Sequence, residues 1–194
     1  ANVLGIDASK FMTKISKKKV NTINCIFNFN QSKKIKKKFG KADIVVANNV
    51  FNHSDDPKNF LKGIYNLLKK NSIFIFEQPY FAKGLYSLKF DQIYHEHISY
   101  FTSKNIKSLL ENNNFKIVSM KENSYHGGSL RTTCVKKNSN IKGRKINKLI
   151  DSEKKNKIYN ISYYQKFNQK INFEKNKLIH KIKQFKNNGY KIAG

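Results

Sequence analysis

The sequence predicts an α/β fold built on a doubly wound parallel sheet, on three observations. Short apolar runs recur at residues 2–6, 21–27, 42–47 and 72–76. Segments with helical spacing fall between them, and the connections are short. The run at 2–6 reads as a buried strand ending in Gly5-Ile6-Asp7, with an acid at its tip. Residues 10–19 read as a short helix. Ile23, Cys25 and Phe27 alternate as in a second strand. Residues 31–39 form a basic helix stopped by Gly40. Ile44-Val45-Val46 lies in a run, 42–47, expected to be buried on both faces.

After a polar stretch, Pro57 opens a helix with Asp55 or Asp56 as its cap. Its apolar positions are Phe60, Leu61, Ile64, Leu67 and Leu68. Residues 72–76 give another buried strand, and 77–99 a long irregular segment dense in aromatic and ionisable groups. Long loops in compact domains usually carry function. A helix over 103–113 and strands over 115–120 and 129–136 follow. Two late strands with no helix between them imply an antiparallel hairpin at the sheet edge. From residue 141 the composition turns to lysine-rich helices, carrying Ile146, Leu149, Ile150, Phe167, Ile171, Leu178, Ile182 and Phe185. The boundary falls near Ser139-Asn140, and 190–194 reads as the start of another strand.

Composition narrows the function classes. The 194 residues hold 39 Lys+Arg against 12 Asp+Glu, a formal charge of +27. Such a balance raises nucleic acid or an anionic membrane as a partner. Yet only Arg131 and Arg144 are arginine, 26 residues are asparagine, and the excess runs through the whole chain. That pattern is a solvated lysine surface more than a recognition face with arginine forks. No specific nucleic-acid partner is expected. A lysine-rich nucleic-acid-binding module stands as the alternative. No run of eighteen apolar residues exists, so no membrane span is expected. Cys25 and Cys134 are too few for a disulfide framework or an all-cysteine zinc site, which fits a reducing, cytoplasmic setting.

Four places could carry chemistry. In open α/β sheets, ligands bind beyond the carboxyl ends of strands. Asp7 at such an end is either an acceptor for ribose hydroxyls or a simple cap. Asn48, Asn49 and His53 sit at another polar strand end and would lie under a nucleoside cofactor, or else merely form a turn. The third place is densest. From Glu77-Gln78-Pro79-Tyr80 to Tyr94-His95-Glu96-His97, two histidines, two glutamates, an aspartate and three tyrosines fall within 21 residues. A histidine flanked by carboxylates suits a general base near neutrality. A metal is the rival reading, but no third ligand stands at metal spacing. Last, His126-Gly127-Gly128-Ser129-Leu130-Arg131 joins a flexible backbone to an arginine fork suited to carboxylate or phosphate.

Together these motifs resemble the sugar C-methyltransferases. These enzymes use S-adenosylmethionine to methylate a carbon of nucleotide-linked keto-deoxysugars. The resemblance is carried by Gly5-Ile6-Asp7, by Ala42-Asp43-Ile44-Val45-Val46-Ala47-Asn48-Asn49-Val50 with His53, by Phe76-Glu77-Gln78-Pro79-Tyr80, by Asp91-Gln92-Ile93-Tyr94-His95-Glu96-His97, and by His126-Gly127-Gly128-Ser129-Leu130-Arg131. It covers about residues 1–138.

The resemblance implies a Rossmann-like class I methyltransferase sheet over 1–138, truncated at its N-terminus. It implies a helical segment over 139–194 that leads into a C-terminal domain. The family's zinc module and glycine-rich cofactor loop would precede Ala1. The chain is thus expected to be a fragment, with zinc only in that module and weak cofactor binding without the loop. His97 is implied as the base that generates an enolate, with Glu96 and Tyr94 orienting it or stabilising the enolate. Asp7, Asn48, Asn49 and His53 are implied cofactor contacts, and Gln78, Tyr80, His126 and Arg131 substrate contacts. Methyl transfer to oxygen or nitrogen is the remaining alternative, and it leaves the Tyr94–His97 cluster without a task. The sequence fixes neither the sugar nor the oligomeric state.

Overall fold

The computed structural model describes residues 2–193, except for the side chain of His126. Strand β1 (Leu4–Asp7) and β2 (Asn21–Asn24) form a parallel pair, with α1 (Lys10–Ser16) between them. Helix α2 (Phe29–Phe39) leads to β3 (Ala42–Asn48), and α3 (Pro57–Leu67) to β4 (Leu68–Pro79). Then follow α4 (Phe81–Tyr86), α5 (Ser103–Asn112), β5 (Phe115–Asn123), β6 (Ser129–Lys136), α6 (Asn147–Lys155) and α7 (Ile161–Asn187). The second sheet has the order β3-β4-β6-β5; β3 and β4 are parallel and the other pairs antiparallel.

Local chemistry sets the helix starts. Asp56 caps α3 by accepting from Asn59 N–H at 3.0 Å, with Pro57 in the first turn. Asn28 and Thr102 cap α2 and α5 in the same way. Gly40 ends α2 at φ +81°. Helices α2 and α3 tie the β1–β2 pair to the rest through Phe27 on Phe60 (5.0 Å between ring centroids) and Phe29 N–H to Asn59 Oδ1 at 2.9 Å.

The main core lies on one face of the larger sheet. Phe74 and Phe76 of β4 stack there, with Cys134 and Thr132 of β6 opposite them in register. Phe51, in a single 3-10 turn after β3, is wholly buried. It packs against Phe60, Phe76 and Phe101 at 5.4, 5.2 and 5.3 Å. A second cluster joins Tyr80, Ala82, Leu85 and Leu130 to Ile158, Leu149 and Phe167 of the C-terminal segment.

Several sequence expectations change. The run 42–47 is not buried on both faces. Ile44 is 59% and Val46 57% exposed, because β3 is the edge of its sheet and makes no ladder with β1; only its Val45–Ala47 side meets the core. The late hairpin is antiparallel, but β6 is inserted between β4 and β5, so of the hairpin's two strands only β5 is an edge. The long irregular segment is shorter than expected: β4 runs on to Pro79, and α4 follows. Residues 190–193 form no strand. From Phe173 onward the large apolar residues of α7, such as Phe173 and Leu178, are exposed. Among the described residues no helix is long and apolar enough to cross a membrane.

Phe51 joins two aromatic pairs to the sheet. Phe51→Ala is expected to cost about 3–5 kcal/mol, read as a lowered urea midpoint at unchanged m-value.

Candidate active site

A cleft opens beside the carboxyl end of β4. His97, Asn52, Tyr80, Lys89 and Tyr100 line it, together with Gly127, Gly128 and the Phe167 ring of α7. His97 is 9% exposed, yet its surroundings are aromatic and polar rather than aliphatic. The Tyr94 ring lies 4.3 Å from it, His53 meets it edge-on at 5.2 Å, and Tyr100 stands at 6.3 Å. Its Nδ1 is 2.9 Å from the Gln92 carbonyl. A carbonyl oxygen only accepts, so in the neutral ring Nδ1 carries the proton and Nε2 keeps the basic lone pair.

The structure gathers some of the expected site residues and separates others. Tyr94 and His53 reach His97. Glu96 does not: it is exposed, and the Gln92 backbone carbonyl fixes the ring in place of a carboxylate. His53 thus stands against the expected base rather than with the strand tips alone. Tyr80 lines the cleft, but its hydroxyl donates to Glu153 Oε1 at 2.8 Å. Burial first, and then the hydrogen bond to Glu153 and its charge, push that phenol far above its usual range. Gln78 is 1% exposed on the core face of β4, and neither polar atom of its amide has a partner among the described residues. The His126 side chain lies outside the described residues.

Arg131 does not line the cleft. Its Nε donates to Glu77 Oε2 at 2.7 Å across the β4–β6 ladder, while 57% of the side chain stays exposed. Ser129 Oγ and Asn123 Nδ2 also donate to Glu77. Burial raises the Glu77 pKa, but these three hydrogen bonds and the Arg131 charge outweigh it and hold the carboxyl below the usual range.

At the strand tips, Asp7 Oδ1 accepts from Ser9 N–H at 2.8 Å. Asn48 is exposed at the end of β3, opposite Glu77. Asn49 takes φ +48° and donates its N–H to the Glu77 carbonyl at 2.8 Å. Both glycines line the cleft and both take a positive φ. Gly127 (φ +77°) and Gly128 (φ +134°) lie against the side chains of Lys89 and Lys83, in backbone conformations that residues with a Cβ rarely adopt. Among the described residues no group of three His, Cys, Asp or Glu is placed to hold a metal ion.

Sequence reasoning passed over three groups. Asn52 sat inside the polar stretch but gave no pattern of its own. Gln92 acts through its backbone, which side-chain chemistry cannot announce. Glu153, one of three acids among the lysines of 141–194, was the visible signal. It is wholly buried. Besides Tyr80 it accepts from Ser103 N–H (2.6 Å), Lys104 N–H (3.3 Å) and the Tyr159 hydroxyl, and so caps α5 from α6.

Residues 1–120 match the family model described as a methyltransferase domain. The chain belongs to the methyltransferase-domain family. Residues 124–194 match the C-methyltransferase C-terminal domain, so both matches fall within one methyltransferase chain. The C-methyltransferase NovU of Streptomyces niveus is 30% identical over 129 residues, which take in 66% of this chain and 31% of that protein. The chain therefore spans about a third of the length of the curated relative it matches. Solved structures show the same α/β fold. An S-adenosylmethionine (SAM)-dependent methyltransferase from Anabaena variabilis superposes with a TM-score of 0.54 at 15% identity, covering 70% of this chain and 68% of that one. One from Archaeoglobus fulgidus gives 0.54 at 18%, covering 69% and 75%. The magnesium protoporphyrin IX methyltransferase of Synechocystis gives 0.53 at 18%, covering 70% and 64%.

The Glu77 cluster has a pH signature. Because its folded pKa is depressed, the stability it contributes is present above the ordinary value of 4.5 and is lost as pH falls through the folded pKa. Glu77→Gln should remove that acid-limb slope and cost about 1–3 kcal/mol at pH 7, measured by urea unfolding from pH 7 to pH 3.

Proposed function

We propose that this methyltransferase chain acts in SAM-dependent transfer of a methyl group to carbon, with a nucleotide-linked keto-deoxysugar as substrate. The match to a C-methyltransferase C-terminal domain and the likeness to NovU support transfer to carbon. Carbon is the acceptor that requires a strong general base, since a C–H beside a ketone is a weak acid. The observation that carries the reading is the His97 ring: it lines the cleft with Nδ1 anchored on the Gln92 carbonyl, which makes Nε2 the basic nitrogen.

In this reading His97 Nε2 takes the proton from the carbon next to the ketone. The C–H electron pair becomes the carbon–carbon double bond of the enolate, and the carbonyl π pair moves to oxygen. The Tyr94 and His53 rings hold the imidazole in its plane, while Glu96 contributes charge only at a distance. The strand tips suit the cofactor, because Asp7 stands at the carboxyl end of β1 with only its Oδ1 engaged by Ser9 N–H among the described residues, which leaves the other oxygen for a ribose hydroxyl. Asn48 and Asn49 would flank it. S-adenosylmethionine, when bound, supplies the electrophilic methyl group. The reading divides the chain into a methyltransferase part over 1–138 and a helical segment over 139–194 that begins the C-terminal domain. Glu153 of that segment sets Tyr80 in the cleft wall.

The test is product formation from radiolabelled SAM and dTDP-4-keto-6-deoxyglucose, with the methylated position assigned by NMR. His97→Ala should lower transfer by at least about 10²-fold and leave SAM affinity by calorimetry within about threefold, because the ring is assigned to the substrate and not to the cofactor. Unchanged turnover in the variant, or a label found on oxygen or nitrogen, overturns the reading.

A further inference from the structure

Asn52 is 2% exposed, and neither Nδ2 nor Oδ1 has a hydrogen-bond partner among the described residues. Buried carboxamides are ordinarily paired, because an unpaired one costs folding free energy. The rest of the residue is tightly held. Its backbone carbonyl accepts from Ser99 N–H at 3.1 Å, two residues after His97. The preceding Phe51 is stacked on Phe101, and the following His53 meets His97 edge-on. Asn52 and His97 thus share one frame and line the same cleft. An amide fixed beside a base, and left without a partner by its own protein, is arranged for a polar group that arrives with the ligand.

We propose that the Asn52 carboxamide is the hydrogen-bond donor to the substrate's carbonyl oxygen, the atom that becomes negative when His97 removes the neighbouring proton. This rests on the reading above. A neutral N–H donor suits that atom because it stabilises the developing charge without surrendering a proton. Lys89, which lines the cleft with its side chain against Gly127, is the rival donor.

The test isolates proton abstraction, which needs no methyl donor. The protein is incubated with dTDP-4-keto-6-deoxyglucose in D2O, and exchange of the proton beside the carbonyl is followed by NMR above the enzyme-free rate. The wild-type chain should exchange it and His97→Ala should not. Asn52→Leu and Asn52→Ala should slow kcat for exchange by about 10²-fold, with KM changed less than about threefold, the mark of a contact made mainly in the transition state. Asn52→Leu should melt at or above the wild-type temperature, since it removes an unpaired buried amide. Wild-type exchange rates in both Asn52 variants, a loss confined to KM, or loss in Lys89→Met in place of the Asn52 variants overturns this inference and leaves the reading standing. Absence of exchange in the wild type, or full exchange in His97→Ala, overturns the reading itself and this inference with it.

Discussion

The stacking of Phe51 in the aromatic core is the constraint on which the candidate site depends. One 3-10 turn after β3 sends Phe51 inward against Phe60, Phe76 and Phe101, and holds Asn52 at the cleft and His53 against His97. The segment carrying His97 has little regular structure of its own. It is held by Ser99 N–H on the Asn52 carbonyl and by Phe81 N–H on the Phe101 carbonyl at 3.2 Å. A loop gains a fixed geometry only where rigid neighbours impose it, and here the neighbour is a buried ring whose burial free energy anchors the turn.

A second tie comes from far along the chain. Glu153 gathers two backbone N–H groups of α5 and two tyrosine hydroxyls around one carboxylate. Removing a carboxylate from water is costly, and four donors are what offset it. The result joins the C-terminal segment to Tyr80, and through Tyr80 to the cleft wall. Glu77 does the same at the end of β4, where three side-chain donors converge on it. Two acids buried in a chain of 39 basic groups both act internally, whereas most of the lysines remain at the surface.

The resemblance in the motifs named the family before any coordinates, and the matches to a methyltransferase domain and a C-methyltransferase C-terminal domain agree with it. The alternation of strands and helices, the Asp56–Pro57 helix start and the Gly40 stop were legible because each rests on local chemistry within a few residues. The cluster around His97 was legible as a density of ionisable groups. Its internal wiring was not. Glu96 is the nearest acid in sequence, yet the ring is bound by a backbone carbonyl five residues back. Arg131 has the right fork for a ligand, and its Nε also pairs with a carboxylate on the adjacent strand.

By itself, the sequence determined the periodicities, the caps, the surface lysines and the residue types that crowd near position 97, since these follow from side-chain chemistry and spacing alone. Tertiary structure decided which partner each polar group found. Strand register set Glu77 opposite Arg131, the edge position of β3 left Ile44 and Val46 exposed, and the turn at Phe51 brought Asn52 beside His97. Those outcomes depend on contacts between residues tens of positions apart, and no local pattern encodes the burial or the pairing that such contacts impose.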